Sequence, residues 1–265
     1  MLDAKGLNGL IECETLWISD THLGNVHSKA DYLLAFLKRV RCKRLYLVGD
    51  IVDVWSMHKR MYWPEAHNAI LRRLLKMSRA GVEIIYIPGN HDMNFREFCG
   101  ESFGNVKIVK EAVHTTADGR RFLVTHGDEL DFAVRYSRMN RWIGDAAYSL
   151  LMMASRLCNK WRALTGRNYW SLSSWMETQV VHAEQAIDAY QDAAVTMGRE
   201  AGYDGIICGH LHHPVVQQYE DFLYCNDGDW VESCTALIED RYGVLHLVHP
   251  VEESDMALPR LQIAA

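Results

Sequence analysis

Apolar residues fall into short blocks along the first hundred positions, and the blocks alternate between two periods. "TLWIS" (15–19), "RLYLV" (44–48) and "EIIYI" (83–87) are nearly continuous apolar runs, as long as strands buried on both faces. Between them the period lengthens. Residues 28–40 set Leu33, Phe36, Leu37 and Val40 on one helical face. A second helix starts at Pro64, turns Ala66, Ile70, Leu71, Leu74 and Leu75 inward, and stops before Gly81. Strand–helix alternation of this kind predicts a sheet covered by helices.

After residue 104 the texture changes. "VKIV", "AVHTT" and "RFLVT" read as short strands, the last two joined by a hairpin turn at Asp118-Gly119. From Asp131 to about Gly202 there is no strand pattern, and the segment reads as two or more helices broken near Gly144 and Gly166. Strands return at "GIIC" (205–208), "VVQQY" (215–219), "FLYCN" (222–226), "CTALIE" (234–239) and "VLHLV" (244–248). The expected organisation is a single domain over 1–265 with a two-sheet α/β core and a helical insertion at approximately 131–202.

Composition narrows the function classes. A chain of 265 residues, 49% of them hydrophobic, can bury a full core. A net charge of −6 argues against a nucleic-acid partner, which needs a basic surface. Seven cysteines, odd in number, dispersed and without C-x-x-C, form neither a disulfide framework nor a thiolate zinc site, so a reducing cytoplasm is expected. The start of the chain lacks the basic-then-apolar pattern of a signal peptide. The longest apolar stretch, "AAYSLLMMA" (146–154), is about half of the ~20 residues a spanning helix needs.

The candidate chemistry stands where the apolar runs end. "WISDTHLG" brings Asp20 and His22, "YLVGDIVDVW" brings Asp50 and Asp53, and "IPGNHD" brings Asn90, His91 and Asp92. "LVTHGDELD" adds His126 and Asp128, and "ICGHLHHP" adds His210, His212 and His213. Residues just past the carboxyl ends of strands in an open α/β sheet converge on one crevice. Each motif alone fits a turn or a satisfied core histidine. Five strand ends in succession carrying Asp, Asn or His point to a metal site instead. Strand-like spacing of two turns His210 and His212 the same way and His213 elsewhere.

In this order the set D-x-H, G-D-x-x-D, G-N-H-D, H-G-D, G-H-x-H resembles the signature of the calcineurin-like metallophosphoesterases, from Thr15 to the last strands. The resemblance implies a four-layer αββα sandwich of the α/β (α+β) class, with two divalent metal ions. Asp20, His22 and His212 would bind one ion and Asn90, His126 and His210 the other, with Asp50 bridging. Oxygen and imidazole ligands suit Mn²⁺, with Fe or Zn²⁺ also compatible. Such a pair of ions clamps an in-line displacement at phosphorus and acidifies a water. His91 would protonate the leaving oxygen, oriented by Asp53, while Asp92 and Asp128 would fix ligand histidines in the right tautomer.

The insertion bears on substrate. Between 131 and 170 seven basic residues (Arg135, Arg138, Arg141, Arg156, Lys160, Arg162, Arg167) face two acidic ones (Asp131, Asp145), with Trp142, Trp161, Trp170 and Trp175 in or just beyond the segment. One reading is a helical hairpin with its own core and solvated arginines. The other is a lid with an apolar lining and a basic rim, built for a lipid-linked phosphate, with Asp131, Arg138 and Arg141 as substrate-binding candidates. That lid would allow peripheral contact with the inner face of a membrane through 131–176. A subgroup of the family, the UDP-2,3-diacylglucosamine hydrolases of lipid A synthesis, is similar in "GDIVDVW" and in carrying an insertion after H-G-D. That subgroup has arginine after the motif asparagine, where this chain has His91. Three functions follow: hydrolysis of a nucleotide- or lipid-linked phosphate, general phosphodiesterase or phosphomonoesterase action, and a non-catalytic scaffold on the same fold.

Overall fold

A computed structural model describes residues 9–130 and 173–250, with side chains from 184 onward in the second span. The chain divides into two compact units, one of Met1–Asp128 with Met197–Ala265, the other of Glu129–Thr196.

The first unit opens with β1 (Ile11–Glu12), β2 (Thr15–Ile18), α1 (Ala30–Arg39), β3 (Val40–Arg41) and β4 (Arg44–Val48). Next come α2 (Val54–Lys59), α3 (Glu65–Arg79), β5 (Glu83–Ile87), β6 (Ser102–Phe103), β7 (Val106–Ile108), β8 (Ala112–Thr115) and β9 (Arg121–Val124). The second unit contains most of α4 (Ser173–Glu200), and the helices expected over 131–172, with their breaks near Gly144 and Gly166, lie outside the described residues. The first unit then resumes with β10 (Gly205–Cys208), β11 (Val215–Tyr219), β12 (Phe222–Asn226), β13 (Ala236–Glu239) and β14 (Leu245–Val248). Among the described residues no helix is long and apolar enough to cross a membrane.

Two sheets form the core. The larger runs β14-β13-β2-β4-β5-β7-β6, with β2, β4, β5 and β7 mutually parallel and β13 antiparallel to β2. The smaller runs β11-β12-β10-β9-β8, with β12, β10 and β9 parallel. One face of the large sheet, through Leu16, Ile18, Leu45, Leu47 and Ile84, packs against Leu33, Phe36 and Leu37 of α1 and Ile70, Leu74 and Met77 of α3. The other face, through Trp17, Tyr46, Val48 and Ile85, packs against Phe122, Val124, Ile207 and Cys225 of the small sheet. The last turn of α4 closes on β12, where a side chain at Gly198 would run into the Phe222 ring. This is the four-layer α/β sandwich, and the double burial of the large sheet is why its central strands are apolar at every position.

Two sequence expectations shift here. Leu75 is exposed rather than inward, since it lies half a turn from Ala66, and Met77, seven residues past Ile70, takes the inward place. Pro64 caps α3 instead of opening it. At the start of the strands a polar cluster joins the two sheets. His114 of β8 meets Glu239 of β13 at 3.0 Å through Nε2, and Thr15 donates to the same Glu239 oxygen at 2.8 Å.

Candidate metal centre

Each candidate side chain hangs from a bend just past a strand. Asp20 and His22 follow β2, Asp50 and Asp53 follow β4, Asn90 and His91 follow β5, His126 follows β9, and His210 and His212 follow β10. The bends are tight enough to force unusual backbone. Among the described residues seven non-glycine positions have positive φ, and five of them are Asp20 (49°), His22 (45°), Asp50 (53°), His210 (69°) and His212 (54°). The left-handed region disfavours side-chain-bearing residues, so such strain persists only where the surroundings over-determine it. Close approach adds a second constraint, since a Cβ on Gly89 would strike both the Asp50 carboxylate and the His126 ring.

The donors gather in overlapping groups: Asp20 with His22 and His212, Asp50 with His126 and His210, and His22 with Asp50 and His91. His212 Nε2 lies 3.0 Å from Asp20 Oδ1 and 3.4 Å from His22 Nε2. His126 Nε2 lies 3.5 Å from Asp50 Oδ1 and 3.4 Å from the Asn90 side-chain oxygen. His22 Nε2 stands 3.8 Å from Asp20 Oδ1 and 3.9 Å from Asp50 Oδ2, between the two carboxylates. His210 and His212 go to separate groups through the bend after β10, in left-handed backbone, and not through strand alternation. His213 is exposed.

Buried acids and imidazoles this close titrate together. Burial opposes ionisation of Asp20, but the charge and hydrogen bond of His212 outweigh it and hold the carboxyl below its usual range. Asp50 is lowered in the same way, with His126 overcoming burial. Burial acts against charge on the two histidines, yet Asp50 lifts His126 to about 10 and Asp20 lifts His212 to about 9. Ionised carboxylates, held with neighbouring imidazoles out of water, are the donor set that divalent first-row cations take. The residues present fit divalent cations.

Beside this lies a second hydrogen-bonded arrangement. Asp53 caps α2, accepting from the Ser56 backbone N–H at 2.8 Å. One carboxylate oxygen meets His91 Nδ1 at 2.9 Å, and the other meets His22 Nδ1 at 3.3 Å. Asn25 and the Ser56 hydroxyl donate to that second oxygen at 3.1 and 2.8 Å. Burial resists charge on Asp53, but hydrogen bonds from His22 and His91 hold it far below the usual carboxylate range. His91 moves up, its burial outweighed by the bond to Asp53. The Trp55 ring packs edge-on against His91, centroids 5.1 Å apart.

Asp92 and Asp128 do other work than expected. Asp92 accepts from the backbone N–H of Ile51 at 2.8 Å and of Gly89 at 2.5 Å, and from the Tyr86 hydroxyl at 2.5 Å. It therefore shapes the loop that carries Asp50. Asp128 pairs with Arg96 at 2.7 Å. The His126 ring is oriented by the Val48 carbonyl, 2.9 Å from Nδ1. Sequence reasoning missed Asn25, Ser56, Tyr86 and Arg96, and also the Ser19 hydroxyl, which donates to buried Asp227 at 2.6 Å behind Asp20. The "CNDGDW" stretch was the one signal for that last pair. Asp131, Arg138 and Arg141 lie outside the described residues.

The profile of the calcineurin-like phosphoesterases matches residues 14–214, spanning all five strand-end motifs from Asp20 to His212. The chain belongs to this family. It is a metal-dependent phosphoester hydrolase, and the αββα layering is the family's fold. A UDP-2,3-diacylglucosamine hydrolase of Cellvibrio japonicus is 28% identical to this phosphoesterase, covering 82% of the chain and 90% of its own length. The enzyme so named from Neisseria gonorrhoeae is 27% identical, covering 84% and 92%. An archaeal phosphodiesterase of known structure is 15% identical, with a TM-score of 0.41, covering 88% and 98%.

Proposed function

We propose that this phosphoesterase cleaves the pyrophosphate of a nucleotide-linked lipid, of which UDP-2,3-diacylglucosamine is the best-supported example. The similarity to hydrolases of that name, over more than four fifths of the chain, carries the reading. Asp20, His22 and His212 would hold one divalent cation and Asn90, His126 and His210 the other, with Asp50 available to both. Manganese is the first candidate, with iron and zinc compatible. Cations in such a site neutralise charge on the phosphoryl oxygens and acidify a water. His91, with Nδ1 committed to Asp53, delivers a proton to the leaving oxygen from Nε2. Asp53 keeps that tautomer and stabilises the charged ring between turnovers. The catalytic domain is read as one unit interrupted at approximately 131–202, where Asp131, Arg138 and Arg141 are candidates for the substrate's head group and 131–176 for contact with a cytoplasmic membrane surface.

One observation favours a second reading. His91, held by Asp53 at 2.9 Å, occupies the position where the lipid enzymes carry arginine, and an acid there suits general phosphodiester hydrolysis. Turnover of UDP-2,3-diacylglucosamine, other nucleotide-sugars, a nitrophenyl diester and plain phosphomonoesters by the manganese-loaded protein separates the two. Release of UMP at a kcat/KM far above that for the diester is expected. Equal or better turnover of simple diesters would overturn the lipid assignment.

A further inference from the structure

Cys13 and Cys42 are 29 positions apart in sequence and neighbours in space, at the end of β2 and β4 opposite to the metal centre. β1 and β3 run parallel, with Ile11 opposite Val40 and Glu12 opposite Arg41. The next rung sets Cys13 beside Cys42. Hydrogen bonds bracket the pair on both sides, from Cys13 N–H to the Arg41 carbonyl at 3.0 Å and from Lys43 N–H to the Glu14 carbonyl at 3.0 Å. Adjacent strands lie about 4.8 Å apart, within the ~4.4–6.8 Å Cα separation that a disulfide spans. Both cysteines are free thiols, Cys13 buried and Cys42 half-buried. A cavity of about 600 Å³ opens onto both, its rim of mixed charge with Glu12, Glu14 and Asp240 beside Arg41, Lys43 and Arg241.

We propose that Cys13 and Cys42 form a redox-active dithiol, a modification site that exchanges with small disulfides and closes reversibly into a staple between the starts of β2 and β4. Contact with the Cys42 thiol, reinforced by burial, pushes the Cys13 thiol far up, so Cys13 is a poor first nucleophile. Cys42 is the accessible one. Its thiolate attacks one sulfur of a low-molecular-weight disulfide, whose S–S bond breaks and releases one thiol. Cys13 then loses its proton and attacks Cys42 Sγ, expelling the second small thiol. Two protein thiols are oxidised, one small disulfide is reduced to two thiols, and no other oxidant is required. Cys208 and Cys225 also lie close together, but both are fully buried, so neither can begin an exchange with a small disulfide. The staple would join the two strands that deliver Asp20 and Asp50.

The test exposes the reduced, metal-loaded full chain to oxidised glutathione, blocks free thiols, and maps peptides by mass spectrometry without reduction. A Cys13–Cys42 cross-link is expected as the main product, reversed by dithiothreitol. It should raise the Tm by roughly 5–10 °C, as closing a loop of this length does in a domain of this size. Cys42→Ser should abolish both the cross-link and the shift and keep the basal turnover. Cys13→Ser should instead stop at a glutathione adduct on Cys42. The proposal is overturned if wild-type protein gives no 13–42 cross-link, if it accumulates a stable adduct at Cys42, or if Cys42→Ser shows the same Tm shift.

Discussion

Asp53 Oδ1 meets His91 Nδ1 at 2.9 Å while the other oxygen of the same carboxylate reaches His22, so one acid orients both the proposed leaving-group acid and a candidate metal ligand. The capping bond from Ser56 fixes that acid to the first turn of α2. Position, tautomer and charge of His91 therefore depend on a residue with no exposed surface.

His91→Ala should depress kcat most for substrates with poor leaving groups. General acid catalysis contributes roughly 10²–10⁴-fold, whereas nitrophenolate leaves with little help. Parallel assays of an alkyl and a nitrophenyl diester check this. Equal losses would assign His91 to phosphate positioning.

Asp53→Asn should imitate much of that loss and also weaken metal retention, because an amide can present N–H where His22 and His91 now find an acceptor. Kinetics together with elemental analysis separates the two effects. Asn25→Ala, which removes one donor to the same carboxylate, should be milder in both.

Gly89→Ala tests the crowding behind Asp50. Its Cβ would collide with the Asp50 carboxylate and the His126 ring, so metal content and turnover should fall together while the circular dichroism spectrum stays native. An alanine variant with full metal and normal rate would show that the loop yields freely.

Stripped of metal, the protein should lose stability as pH rises. His126 and His212 have folded values raised to about 10 and about 9, above the ~6.5 of an unfolded histidine. Their contribution is fully present below about pH 6.5 and is lost as pH climbs through 9 and 10. Asp20 and Asp50 have lowered values, so their share is present above about pH 4 and lost on acidification. Thermal melts in chelator from pH 5 to 10 should therefore show falling Tm on the alkaline side. Manganese should flatten that fall, because a cation then replaces the protons, and loading at pH 7 should release protons measurable by calorimetry in two buffers.

His114→Leu should cost roughly 2–4 kcal/mol, since Glu239 is left buried between the sheets without its imidazole partner. The residue stands at the start of the strands, away from the metal centre, so kcat of the folded fraction should hold while the denaturant midpoint falls.

The parts of this protein that were legible in the chain are those with a period or a boundary. "RLYLV" and "EIIYI" are apolar throughout because helices cover one side and a second sheet the other. The ligand candidates were visible because each follows such a run. What escaped had neither. β1 and β3 are two residues each, too short for any alternation, and they place Cys13 beside Cys42. α2 buries none of its residues, so it has no apolar stripe. Asp92 reaches back 41 positions to the Ile51 amide, and nothing local in "GNHD" distinguishes that role from orienting a histidine. The two histidines of "GHLHH" did separate, but by positive φ, which a spacing rule cannot see.

The left-handed backbone at Asp20, His22, Asp50, His210 and His212 sets function against fold at the same five positions. Each costs of order 1–3 kcal/mol that glycine would largely avoid. Substituting glycine for His212 relieves that strain but leaves the buried Asp20 carboxylate without its imidazole partner, so the metal-free protein should be no harder to melt. A selection for thermostability alone, run without substrate, would find its glycine more readily at Glu220, left-handed and exposed, than at positions whose charges hold one another in place.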